Sequence, residues 1–313
     1  MVDNKKLKGI YLAGALLLIV LISGCTTENK IIGEIANNVE NIEIKGSDTL
    51  LQLVSNMAEA YIQNKPDAKI SVTGGGSGTG IAALINGEID IADASRRIKE
   101  EEMEQAKERG INPWEFIIAR DMLSVIVSKD NPASKLTIEQ ISKIYKGEIT
   151  NWNEVGGKNQ EITLYGRQST SGTYSYFMKK VVGGDYSPYM MNLEGNQAIV
   201  DAIKQDKLGI GYAGLGYISD EKGNPVGGIK IVEIAKDENS QYISPLDESK
   251  HSLYPISRPL LQYLAKKPVK DSMVYNFLKF ELNPEGQEIV KEAGFVPITS
   301  EDRNHNNMLW NKI

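Results

Sequence analysis

Between residues 41 and 95 the apolar positions follow two rhythms in turn. The run IEIK (42–45) alternates with period two and predicts a short strand, after which Leu50, Leu53, Val54, Met57 and Tyr61 recur at helical spacing. AKISVT (68–73) predicts a second strand, residues 80–86 a short helix, and IDIA (89–92) a third strand. The order β, α, β, α, β predicts an α/β architecture with helices covering both faces of the sheet.

The middle of the chain repeats this style with other lengths. MLSVIVSK (122–129) reads as one β-rich run closed by Asp130-Asn131-Pro132, and Ile138, Ile141, Ile144 and Tyr145 give a helix stopped by Gly147. EITLYG (161–166) is a strand, residues 196–205 a helix, and KLGIGYAGLGYI leads on to the β-rich GGIKIVEIA. The polar KDENSQYISPLDESKH reads as a long surface loop. An apolar run at 260–264 and helices near 271–281 and 284–292 complete the pattern. No internal repeat of fixed period interrupts it.

The first 40 residues obey neither rhythm. Lys5, Lys6 and Lys8 precede an apolar run from Ile10 to Ile22 that ends at Ser23-Gly24-Cys25. That run is shorter than the ~20 residues a spanning helix needs, and it fits the core of a signal peptide with small residues at the cut. Residues 1–24 are therefore read as signal peptide and 25–40 as a tether. LISGC resembles the lipobox of secreted lipoproteins, which implies that Cys25, the only cysteine, is lipidated and begins the mature chain.

Charge and composition then narrow the function. The chain of 313 residues carries net −6, and loss of residues 1–24 removes three lysines and one aspartate, leaving −8. An acidic surface argues against nucleic acid as partner. His251 and His305 lie far apart in polar segments, where both are expected to be solvated, and with one cysteine they make no metal site.

Chemistry concentrates in three loops. GSDTLLQL (46–53), GGGSGTGIAAL (74–84) and GRQSTSGTYSYF (166–177) each carry a predicted strand through glycine and hydroxyl residues into a helix. A helix start exposes unpaired N–H groups and a positive dipole end, so three converging starts would cage an anion. The plainer alternative is that each serine or threonine only caps its helix. Capping leaves Arg167 unexplained, and its planar fork suits a bidentate grip on an oxyanion.

Enzymatic readings fare worse on the same residues. GTGIAA (78–83) has dinucleotide-type glycines, but the segment after Gly80 is barely two helical turns and lacks the longer crossover that such a unit needs. No Walker lysine follows a glycine loop, no Gly-x-Ser-x-Gly elbow occurs, and no histidine lies near the serines.

The three loops, in this order and spacing, resemble the phosphate-binding proteins of phosphate ABC transporters, with GRQSTSGT the most specific match. ITNWNEVGGKN, GIGYAGLGYI and YPISRPL also look like the compact branch of that family, and the likeness spans roughly residues 41 to 300. It implies a periplasmic-binding-protein fold of two α/β lobes with the ligand in the cleft between them. Lobe 1 would be 41–121 plus 255–313 and lobe 2 would be 122–254, joined by a hinge crossed twice, near Arg120–Leu123 and Tyr254–Arg258. The implied ligand-binding residues are Ser47, Thr49 and the Leu50 backbone, Ser77, Ser95, Arg167, Ser171, the Gly172 backbone and Thr173. The implied partners are inorganic phosphate and the membrane permease subunits, with the membrane reached through lipid on Cys25. The protein would be a monomer without cofactor or catalytic activity.

One departure bears on selectivity. Where better-known members of the family place an aspartate that accepts the proton of phosphate, this chain has Ser95, and where they hold the arginine with a second aspartate it has Ser169. Sulfate carries no proton near neutral pH, so a carboxylate at that place would reject it. Asp48 and Asp93 are the nearby candidates for the acceptor, against plainer roles as a helix cap for Asp48 and as partner of Arg96 or Arg97 for Asp93. A receptor for sulfate or another tetrahedral oxyanion, a phosphate-ester enzyme and a structural surface lipoprotein stay open as alternatives.

Overall fold

The computed structural model describes residues 41–220 and 223–312. The predicted signal peptide, the tether and Cys25 lie outside the described residues.

In chain order the elements are β1 (Asn41–Gly46), α1 (Leu51–Asn64), β2 (Lys69–Thr73), α2 (Ser77–Asn86), β3 (Ile91–Ala94), α3 (Glu100–Glu108) and β4 (Trp114–Met122). There follow β5 (Ser124–Ser128), β6 (Lys135–Thr137), α4 (Ile138–Lys146), β7 (Thr163–Arg167), α5 (Gly172–Phe177), β8 (Met191–Leu193), α6 (Gly195–Gln205) and β9 (Gly209–Ala213). The last are β10 (Ile229–Ile231), β11 (Glu233–Ala235), β12 (Ser257–Leu264), α7 (Met273–Leu282), α8 (Pro284–Glu292) and α9 (Ser300–Trp310).

Two five-stranded mixed sheets organise them, β2-β1-β3-β12-β4 and β10-β5-β9-β7-β8, beside a small pair of β11 and β6. In the first sheet β1 lies parallel to both β2 and β3, while β12 runs antiparallel to β3 and β4. In the second, β7 lies parallel to β8 and β9. This is the α/β architecture that the alternating rhythms predict.

The first passage of the chain between the sheets is one residue long. The apolar run MLSVIVSK reads as a single strand because its hydrophobicity is continuous, yet it divides at Leu123, with Met122 ending β4 in one sheet and Ser124 opening β5 in the other. Each sheet has its own apolar packing: Ile42, Ile44, Leu53, Ile118, Leu260 and Phe277 belong to a cluster on the first, and Val125, Ile141, Ile199, Ile210 and Tyr212 to one on the second.

Parallel strands send their carboxyl ends the same way, so the loops leaving β1, β2 and β3 open on one edge of the first sheet. Ligands of open α/β sheets bind at such edges, where helix starts gather. The loop leaving β7 in the second sheet meets that edge: the Gly78 N–H donates to Thr170 O at 3.0 Å.

Candidate functional site

The contact between loops requires glycine. At Gly76, where φ is +93°, a Cβ would stand 2.5 Å from Thr170 O, and at Gly172 it would stand 2.2 Å from Ser77 Oγ and 2.6 Å from Ser95 Oγ. Side chains do not approach so closely, so the second and third loops touch only because these positions carry hydrogen.

The convergence buries a set of hydroxyls. Ser47, Thr49, Ser77, Ser95, Ser171 and Thr173 are each at most 2% exposed. Thr49 Oγ1 lies 3.0 Å from Thr173 Oγ1 across the two sheets' loops, and Ser77 Oγ lies 3.3 Å from Ser95 Oγ while accepting the Ser95 N–H at 3.0 Å. Ser171 is the N-cap of α5, its Oγ accepting from the N–H groups of Thr173 and Tyr174. Capping and clustering are thus both present in the third loop. In the first loop the Leu50 N–H, expected to face the ligand, closes a turn onto Ser47 O at 2.9 Å, and the Leu50 side chain enters the core.

Arg167 ends β7 inside this cluster at 1% exposure. Its backbone N–H donates to Tyr212 Oη, and its Nη2 donates to Asp48 Oδ2 at 2.6 Å. Its Nε and Nη1 have no hydrogen-bond partner among the described residues. Burial, the largest effect, pulls the guanidinium below its ordinary range, Asp48 raises it again and Arg258 lowers it. It remains positively charged, because an arginine does not deprotonate in proteins. A desolvated guanidinium with unspent donors is built for an anion, since leaving such donors unmet is costly.

Neither aspartate takes its plainer role. Asp48 does not cap α1, whose N-cap is Leu50 without a side-chain bond. It spans the loops instead, Oδ2 on Arg167 and Oδ1 accepting the Gly75 N–H at 2.8 Å. Asp93 pairs with neither arginine: Arg96 binds Glu102 and Arg97 binds Glu115. Its carboxyl accepts from Gln262 Nε2 at 3.1 Å next to Glu281, and its backbone O accepts the Ser47 N–H. Both histidines are half-buried and not fully solvated, each set against a backbone carbonyl, Pro245 O for His251 and Glu115 O for His305.

Sequence reasoning missed four residues around the cluster. Arg258 and Asp121 form a buried ion pair that reaches Thr173 and Ser95, Asn196 Nδ2 donates to Thr49 Oγ1, and the Tyr217 hydroxyl donates to Asp48 O. The one available signal was YPISRPL, which places an arginine inside an otherwise apolar strand.

The comparisons with known proteins agree with one another. Residues 34–285 match the model of the PBP superfamily domain. The chain is 31% identical over 275 residues to the phosphate-binding protein PstS of Pseudomonas aeruginosa, covering 82% of this chain and 83% of that one. It is 36% identical over 256 residues to the protein of the same name in Staphylococcus aureus, covering 80% and 76%. Among solved structures it is similar to a substrate-binding protein assigned to phosphate ABC transport, from Clostridium perfringens with bound phosphate. There the TM-score is 0.71 at 29% identity, over 83% of this chain and all of that one.

Proposed function

The chain belongs to the PBP superfamily and, within it, to the phosphate-binding proteins of phosphate ABC transporters, and from that membership we propose that it captures inorganic phosphate outside the cytoplasm and delivers it to the transporter's membrane permease. The observation that carries the reading is Arg167, buried among hydroxyls, anchored through Nη2 and keeping Nε and Nη1 for a ligand.

In this reading the two five-stranded sheets are the cores of two lobes, 41–121 with 255–313 and 122–254, that hinge near Leu123 and Ile256. The anion is held where the loops of both sheets meet, by Arg167, by the hydroxyls of Ser47, Thr49, Ser77, Ser95, Ser171 and Thr173, and by the Gly172 N–H. Closing the lobes excludes water, which strengthens each hydrogen bond to the ion. Asp48 has its oxygens on Arg167 and Gly75 and Asp93 lies on Gln262, and in this reading the proton of hydrogen phosphate falls to Ser95. Ser95 Oγ accepts it and donates on to Ser77 Oγ, 3.3 Å away.

Loss of residues 1–24 and lipid on Cys25 would hold the protein at the outer face of the membrane by the 25–40 tether, as a monomer that transports and does not catalyse. Mass spectrometry of membrane-extracted protein tests the lipid. Calorimetric titration of the chain begun after Cys25, stripped of anion, with phosphate and then sulfate from pH 5 to 9 tests the ligand. Tight phosphate binding with little sulfate response is expected, and equal or stronger sulfate binding would overturn phosphate as the substrate.

A further inference from the structure

Arg258 on β12 and Asp121 near the end of β4 face each other as cross-strand partners, 1% and 0% exposed. Arg258 donates to Asp121 Oδ2 from Nε at 3.0 Å and from Nη2 at 2.7 Å. Asp121 Oδ1 accepts the Leu215 N–H, just beyond β9 of the second sheet, at 2.9 Å. The guanidinium also lies 5.3 Å from the Tyr176 ring centroid. A buried pair of this kind is weak evidence for stability alone, because well-packed apolar residues often serve as well. What sets this pair apart is where its remaining donors go.

Nη2 donates to Thr173 Oγ1 at 3.0 Å, and Nη1 donates to Ser95 O at 3.0 Å. A guanidinium can only donate, whereas a hydroxyl has one proton to give and lone pairs to receive with. The bond from Arg258 therefore occupies the Thr173 oxygen as acceptor and leaves its proton to be given forward. Thr49 is backed in the same way: the Gly214 N–H fixes the oxygen of Asn196 at 3.3 Å, so Asn196 turns Nδ2 to Thr49 Oγ1 at 3.4 Å. The two threonines, 3.0 Å apart, thus stand with donor-only groups behind them.

We propose that Arg258, held by Asp121, is a positioning residue of the anion site that orients the Thr173 hydroxyl as a donor to the ligand and fixes the Ser95 backbone with the same guanidinium. This role rests on the phosphate-binding reading above. It makes one buried group set a hydroxyl from the second sheet and a loop from the first, so the donors come into register together.

The test is a double-mutant cycle on phosphate affinity, measured by calorimetry on anion-stripped protein, with Arg258→Lys, Thr173→Val and the double variant. Each single change is expected to weaken phosphate at least tenfold. The double variant is expected to be no more than two- to threefold weaker than the worse single one, because a hydroxyl that is gone cannot be oriented. Losses that multiply would mean that Arg258 acts through the fold or its charge, and would overturn the role. If Arg258→Lys does not fold by near-ultraviolet circular dichroism, the cycle is run with Arg258→Gln and Asp121→Asn together, which leaves no buried charge at that pair. Wild-type protein that binds neither phosphate nor sulfate would sink the binding reading itself, whereas tight wild-type binding with multiplying losses would sink only Arg258.

Discussion

Asp48 Oδ2 lies 2.6 Å from Arg167 Nη2, although the two residues are 119 positions apart and leave strands of different sheets. The carboxylate therefore does two things: it neutralises a guanidinium that burial disfavours, and it ties the loop after β1 to the end of β7. Asp48→Asn keeps the shape and removes the charge, leaving Arg167 buried without its counter-ion. Breaking a buried pair this way costs about 3–5 kcal/mol. Denaturant unfolding in phosphate-free buffer should show that loss. An unchanged midpoint would mean that the pair contributes nothing to the fold.

Gly172 tests the cage without altering a donor. An alanine methyl there would meet Ser77 Oγ and Ser95 Oγ at 2.2 and 2.6 Å, so the second and third loops must part. Gly172→Ala should weaken phosphate more than a hundredfold, with a stability loss of about 1–3 kcal/mol typical of overpacking. Gly227→Ala, where an added methyl meets nothing within 4 Å, is the control and should bind as wild type. Equal affinity for the two variants would show that the loops do not need to touch.

How far the sequence discloses this site depends on how local each signal is. The three loops are legible because a strand, its turn residues and the next helix start are contiguous, so their shared chemistry stands out in GSDTLL, GGGSGTG and GRQSTSGT. Asp121 and Arg258 are not, being 137 positions apart and joined only by the pairing of β4 with β12. Asp48 reads as a cap because capping is the commonest use of an aspartate before a helix, and only the approach of the second sheet turns it to Arg167. The polar helices α3 and α9 escape the periodicity reading for a different reason. α3 buries only Ala106, and the buried residues of α9 are polar, Asp302 on Arg120 and Asn306 on the Ile117 backbone, its apolar contacts being confined to Leu309 and Trp310 at its end, so neither shows an apolar stripe. The third strand is found at 91–94, two residues beyond IDIA, because Ala92 and Ala94 carry the core face onward to the loop.

In the proposed reading Ser95 receives the ligand's proton. If its Oγ accepts from hydrogen phosphate, Ser95→Ala removes an acceptor that sulfate never uses. A hydrogen bond to a charged group is worth about 1.5–3 kcal/mol, so phosphate should weaken roughly ten- to hundredfold while sulfate affinity stays the same. Titration of both anions at pH 8 measures the ratio. A parallel loss for the two anions would make Ser95 a donor only and return the proton to another group.

Behind the site, Gln262 Nε2 donates to Asp93 Oδ1 at 3.1 Å and to Glu281 Oε1 at 3.0 Å, placing two carboxyl groups on one amide where all three residues are at most 1% exposed. Gln262 Oε1 and Glu281 Oε2 have no hydrogen-bond partner among the described residues, and adding one proton to Glu281 turns one of these acceptors into a donor. Burial raises Asp93 to about 7, and burial followed by the charge of Asp93 raises Glu281 well above the carboxylate range. In the unfolded chain both ionise near pH 4. Above about pH 4 the unfolded state therefore holds fewer protons than the folded one, and stability falls as pH rises; the share of Asp93 levels once it ionises in the fold near 7, while that of Glu281 goes on falling until it too gives up its proton. The rise of Asp93 from 3.8 to about 7 sets about 4 kcal/mol as the ceiling for its contribution. Glu281→Gln keeps the amide contacts and has no proton to lose. Relative to wild type it should gain little at pH 4.5 and a few kcal/mol at pH 8, read from denaturant midpoints at each pH. Curves that stay parallel from pH 4.5 to 8 would show that the pair does not hold its proton in the folded protein.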